Sequence, residues 1–198
     1  MNLSEFERVM EWVAPGSRVL DLGCGDGTLL ARLRESRQVR AYGLEIDLDN
    51  IVSCVARGVN VIQADLDKGL SDFETASFDT VILLQTLQAV HFPVNLLREM
   101  LRVGREGVVT FPNFGHWRSR MQLGLGGRMP VTPALPSQWY ETANIHLFTL
   151  KDFDTLCDGE GIEVVDRVPL DAQRRESLLS RAWPTMFSEL AVYRVRRA

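Results

Sequence analysis

Apolar positions along the chain switch repeatedly between two spacings. Phe6, Val9, Met10 and Val13 recur at helical intervals, and Ser4 with Glu7 has the capping-box spacing for the helix start. Pro15 and Gly16 end that helix. Arg18–Leu22 is a short apolar run closing on glycines, which predicts a buried strand, and a helix follows from about Thr28 with Leu29, Leu30 and Leu33 on one face. Next come a strand over Ala41–Ile46 and a helix over Asp49–Arg57, with Ile51, Val52 and Val55 inward and Gly58 just past its end. Strands are expected over Val59–Ala64 and Thr80–Leu84, the second apolar enough to be buried on both faces. A helix from Pro93 to about Arg102, a strand over Val108–Phe111, a helix over Leu150–Asp158, and strands over Ile162–Val168 and Leu190–Val195 complete the order.

Alternating strands and helices predict a doubly wound α/β fold with a mostly parallel sheet. No clear helix separates the last two strands, so they are expected to close one edge as an antiparallel pair. A chain of 198 residues suits one domain spanning its whole length. Residues 112–146 break the alternation. They are rich in Gly and Pro and show no period, and loops of this length are usually functional or disordered. Trp117, Trp139 and Tyr140 within it favour an ordered lid or a partner surface.

The bulk chemistry narrows the classes. A formal charge of −4 argues against a general nucleic-acid surface. Cys24, Cys54 and Cys157 form no C-x-x-C pair, so neither a disulfide framework nor a zinc site is expected. The spacing of His116, Glu141 and His146 matches no metal site. The first residues are acidic where a signal peptide needs a basic flank, and no run approaches the roughly 18 apolar residues of a membrane span. The expectation is a cytoplasmic protein without metal, membrane or nucleic-acid partner.

Asp21-Leu22-Gly23-Cys24-Gly25-Asp26-Gly27 sits where the first strand turns into a helix, the place where ligands bind in such sheets. The spacing is G-x-G-x-G. A dinucleotide site needs a glycine where Thr28 stands, so a nicotinamide cofactor is disfavoured. S-adenosylmethionine brings no pyrophosphate; its amino-acid end and sulfonium suit a carboxylate ahead of the glycines, here Asp21. Glu45, ending the second strand, can accept from ribose hydroxyls. Asp65, ending the third, can accept from an adenine amino group, with Ile46 and Leu66 on either side of the ring. Each has a plainer reading: Asp21 or Asp65 as a cap, Glu45 as a surface carboxylate. Cys24 is expected to pack against the cofactor. Beyond the fourth strand, Gln85 and Gln88 could touch cofactor or acceptor, and His91 is a weak candidate for a general base; it could equally be a hydrogen-bonded histidine before a helix.

These motifs resemble those of the class I S-adenosylmethionine-dependent methyltransferases, which implies a seven-stranded sheet and S-adenosylmethionine or S-adenosylhomocysteine as ligand. The runs Phe111–Arg118, Gly127–Thr132 and Trp139–His146 resemble more closely the methionine biosynthesis protein MetW family. That resemblance implies association with homoserine O-acetyltransferase rather than an established methyl acceptor. Trp117, Arg118, Arg120, Arg128, Trp139 and Tyr140, residue types enriched at interface hot spots, are the candidate partner or lid residues. Methyl transfer to an unidentified small molecule is the competing expectation.

Overall fold

A computed structural model describes residues 3–198, with side chains from Glu5 onward. Seven strands form one sheet: β1 (Arg18–Leu22), β2 (Arg40–Glu45), β3 (Asn60–Gln63), β4 (Phe78–Leu84), β5 (Gly104–Pro112), β6 (Ile162–Leu170) and β7 (Leu190–Arg197). Their order is β3-β2-β1-β4-β5-β7-β6. All pairs are parallel except β5 with β7 and β7 with β6. The order reverses between β1 and β4, so the crevice at their carboxyl ends is the switch point of the sheet.

The helices are α1 (Leu3–Trp12), α2 (Thr28–Arg37), α3 (Leu48–Ala56), α4 (Pro93–Val103), α5 (Trp117–Gly124), α6 (Leu150–Glu160), α7 (Leu178–Ala182) and α8 (Pro184–Phe187). One face of the sheet is covered by Leu96, Leu97 and Met100 of α4 and Phe153 and Cys157 of α6. There Phe111, Phe153 and Tyr193 stack with ring centroids 4.8–5.4 Å apart. The other face is covered by Val9 of α1, Leu29, Leu30 and Leu33 of α2, and Cys54 of α3.

Several elements differ from the sequence reading. α1 is already under way at Leu3, so Ser4 does not precede it as a cap; the side chain of Ser4 lies outside the described residues. β5 begins at Gly104, directly after α4, ahead of the expected Val108; its first residues, Gly, Arg and Glu, carry no apolar signal to mark them as strand. Two short helices, α7 and α8, lie between β6 and β7, where none was expected. α3 corrects its expected orientation: Val52 and Val55 face solvent and Cys54 is the buried residue. Spacing shows which residues share a helix face, not what that face meets. The β3–β4 connection holds only a one-turn 3₁₀ helix, Leu66–Lys68, where a crossover helix would otherwise lie.

Candidate functional site

β1 delivers Asp21 to the middle of the sheet's carboxyl edge, flanked by Gly43 of β2 and Ile82 of β4. The chain then turns through Gly23–Gly27 into α2. Gly23 N and Cys24 N both donate to Leu44 O, at 2.8 and 3.0 Å, strapping the turn to β2. Glu45 completes the strap. Its Oε2 accepts from Gly25 N at 2.8 Å, and its Oε1 accepts from Ile46 N and Asp47 N at 2.8 and 3.0 Å. A carboxylate has about four acceptor positions, so Glu45 keeps capacity toward a ligand while shaping the loop. The α2 N-cap is Gly27, which has no side chain to offer, and Asp26 serves instead by accepting from Thr28 N and Oγ1. Partial burial would raise the Asp26 pKa, but the bonds from Thr28 and the Arg57 guanidinium at 3.0 Å hold it below the usual range.

Two glycines have separable roles. A Cβ on Gly25, at φ 54°, would meet nothing within 4 Å, so its backbone borders open space. A Cβ on Gly27, at φ 76°, would lie 2.8 Å from Cys54 Sγ, so α3 rests directly on the loop. Cys24 corrects an expectation: its side chain turns into the core, 3.8 Å from Cys54 Sγ. The loop offers a ligand its backbone at this position.

Asp21 is buried, and its Oδ1 has no partner. Burial, with the nearby Glu45 charge, pushes its pKa up to about 7. A buried acceptor left unpaired costs about 1–3 kcal/mol, and a cationic donor placed there would relieve it. Past the end of β1 lies a cleft of about 280 Å³, walled by Gly23, Glu45, Ile46, Asp65, Leu66 and Gln85; Asp21, Cys24, Gly25 and Gly27 are not among its walls. Six sequence-predicted residues thus gather at one opening. Asp65 also caps the turn behind it, its Oδ1 accepting from Asp67 N at 3.1 Å.

The proposed acceptor side is arranged differently. Gln85 adopts φ 48°, and its Nε2 donates to both carboxylate oxygens of Glu5 at 3.1–3.2 Å. Glu5 is buried and also accepts from Thr110 Oγ1 and Arg174 Nη1, each at 2.8 Å. Sequence reading missed this α1 carboxylate because it looks like any acid on an amphipathic helix. His91 is mostly exposed and outside the cleft walls. Its Nδ1 lies 2.7 Å from Asp67 Oδ2, and Asp67 Oδ1 accepts from His91 N at 2.8 Å. Gln88 is buried, with Nε2 donating to Gln85 O at 2.6 Å. Neither side chain is among the walls of the cleft, and Gln88 Oε1 is buried without a partner.

No cleft wall comes from residues 112–146. This insertion forms α5 and then a series of bends enclosing a separate apolar groove of about 330 Å³ beside Phe114, Met129, Leu135, Trp139, Ile145 and Leu147. Trp139 and Tyr140 are exposed, their rings 5.6 Å apart. Arg118 lies over the Trp117 ring and 3.7 Å from buried Glu189, Arg120 Nε donates to Gly115 O at 2.6 Å, and Arg128 is exposed. Among the described residues no cluster of three or more His, Cys, Asp or Glu could hold a metal ion, and no helix is long and apolar enough to cross a membrane.

The family model "Methionine biosynthesis protein MetW" matches residues 3–195. The chain belongs to the MetW family. A relative from Rhodopirellula baltica, the bifunctional methionine biosynthesis protein MetXA/MetW, is 35% identical over 206 residues, covering 100% of this chain and 33% of the relative. A ubiquinone biosynthesis O-methyltransferase of Hahella chejuensis is 34% identical over 105 residues, covering 49% of this chain and 42% of the relative. The MetW-family chain therefore spans well under half of either relative. Among solved structures, an S-adenosylmethionine-dependent methyltransferase from Mesorhizobium loti superposes with TM-score 0.72 at 17% identity, covering 98% of both chains. The [4+2]-cyclase SpnF superposes with TM-score 0.67 at 16% identity, covering 96% of this chain and 81% of that one. The MetW-family chain has the class I methyltransferase fold, and that fold alone does not specify a reaction.

Proposed function

We propose that this MetW-family protein binds S-adenosylmethionine in the cleft past the end of β1 and, through its insertion, supports or regulates homoserine O-acetyltransferase. The observation that carries the ligand reading is the buried, unpaired Asp21 Oδ1 at the end of β1, two residues ahead of Gly23, which lines the cleft together with Glu45 and Asp65. Asp21 would receive the ligand's ammonium group, Glu45 the ribose hydroxyls and Asp65 the adenine amino group. Ile46 and Leu66 would flank the ring, and Gln85 would close the acceptor end. S-adenosylhomocysteine would fit the same groups. S-adenosylmethionine lies downstream of the acyl transfer that starts methionine synthesis, so such a site would report end product.

The partner reading is supported by the fused relative, in which a MetW part is joined to a part named MetXA. It is supported also by the insertion, which leaves the cleft uncovered and shows Trp139 and Tyr140 to solvent. A second reading, methyl transfer to a small molecule, is favoured by the half-chain likeness to an O-methyltransferase. The positions of His91 and Gln88 count against it.

Calorimetric titration with S-adenosylmethionine, alone and in the presence of homoserine O-acetyltransferase, separates the readings. Affinity that changes with the partner supports coupling, because linkage is reciprocal. Binding indifferent to the partner favours the methyltransferase reading, and absence of binding refutes the ligand assignment.

A further inference from the structure

Helix α3 turns an apolar row toward solvent. Leu48, Val52 and Val55 are 64–67% exposed, and Ile46, just ahead of the helix, is 60% exposed. Residues at i, i+4 and i+7 lie along one side of a helix, and the intervals of four and then three are those of a two-helix seam. Scattered exposed apolar residues are ordinary, but a contiguous row marks an interaction site. The helix cannot roll to bury it. Its opposite side is fixed by Cys54, which packs against Gly27 and donates to Gly25 O at 3.1 Å. Nearby β3 is the edge strand, and the connection after it adds only the one-turn 3₁₀ helix Leu66–Lys68.

We infer that this row is the contact between two copies of the chain, their α3 helices crossing antiparallel about a two-fold axis. The charges at the helix ends select a second copy as the occupant. Asp47, the helix N-cap, and Asp49, both exposed, stand at the N-terminal end, and Arg57, exposed and paired with Asp26 of its own chain at 3.0 Å, stands at the C-terminal end. An antiparallel copy sets the acidic end of one helix beside the basic end of the other and opposes the two helix dipoles. One patch serves both partners, which is the condition for an isologous contact. Ile46 belongs to this row and also lines the cleft, so each copy stands against a wall of the other's ligand site. The inference is independent of the proposed function.

Sedimentation equilibrium of the full chain over a wide concentration range tests it. The wild type should dissociate on dilution from a species of twice 22.4 kDa. Val52→Glu should weaken the dimer at least about tenfold while keeping the wild-type far-UV spectrum. Should Val52→Glu precipitate, Leu48→Lys serves in its place with the same expectation. Asp49→Arg should also weaken the dimer. A wild type monomeric at every concentration overturns the inference. So does a dimer that these variants leave intact, or an assembly that forms only when an acyltransferase is added.

Discussion

The backbone carbonyl of Gln88 accepts a hydrogen bond from Ile145 N at 2.8 Å, and a second from His146 N at 2.9 Å. Gln88 sits in the turn whose neighbours Gln85, Ala89 and Val90 line the cleft, while Ile145 lines the apolar groove of the insertion. Backbone hydrogen bonds therefore tie the segment that lines the cleft to the segment that lines the groove. A ligand that fixes residues 85–90 should slow exchange of the Ile145 and His146 amides. Gln88→Ala removes the 2.6 Å bond from its Nε2 to Gln85 O and should reduce that slowing. Hydrogen exchange with and without S-adenosylmethionine measures both effects, and unchanged exchange would show the cleft and groove to be independent.

The Asp21 carboxyl, raised to about 7 by burial and the Glu45 charge, makes ligand affinity depend on pH. A cationic group favours the ionised form, so below about pH 7 binding must expel a proton. Affinity for S-adenosylmethionine should rise as pH increases toward 7 and level off above it. Asp21→Asn should weaken binding and flatten the profile. Titrations from pH 5.5 to 8.5 decide this, and a wild-type profile as flat as the variant's would remove Asp21 from the site.

The sequence was most legible where one physical demand dominated. The glycine turn, the carboxylates at the ends of β1 and β2, and the apolar runs of β1 and β4 each follow from a local rule. Where contacts come from distant residues, the same rules failed. Val52 and Val55 have the spacing of a buried face, yet Cys54 takes the inward position, where it packs against Gly27. The role of Glu5 depends on Gln85, Thr110 and Arg174, which are remote in sequence. Cys24 sits inside the glycine turn but packs the core, with its Sγ 3.8 Å from Cys54 Sγ.

Gly25 and Gly27 should separate binding from folding. Gly25→Val adds a side chain where nothing stands within 4 Å, at the cost of backbone strain from a β-branched residue at positive φ. The protein should fold, with its melting temperature lowered by a few degrees, and lose S-adenosylmethionine binding. Gly27→Val drives its side chain into Cys54 and should lower the melting temperature much further. Thermal denaturation and calorimetry on both variants test this, and tight binding by Gly25→Val would sink the close-approach argument.

Glu45 answers to three amides of the turn. Glu45→Ala leaves those donors without their acceptor and removes the ribose contact together. It should weaken S-adenosylmethionine binding by about 1–3 kcal/mol and speed amide exchange at Gly25 and Ile46. Glu45→Gln keeps the shape and one acceptor oxygen and should lose less. Equal affinity in all three proteins would refute the ribose assignment.

His116 and Glu189 give the insertion a dependence on pH. His116 Nδ1 and Glu189 Oε1 are buried, 3.9 Å apart, and neither has a hydrogen-bond partner. Burial, reinforced by the Arg118 charge, lowers the His116 pKa to about 4, so the folded protein keeps this imidazole neutral while the unfolded chain protonates near 6.5. A depressed folded pKa means stability is lost as pH falls from about 6.5 toward 4, at up to about 1.4 kcal/mol per pH unit. Asp21 and Glu189, both raised by burial, act in the opposite direction over part of this range. Comparison with His116→Gln removes their shared contribution. Denaturant unfolding between pH 7 and 4.5 should show the wild type losing stability relative to His116→Gln as the pH drops, and parallel curves would place a charged imidazole in the folded protein.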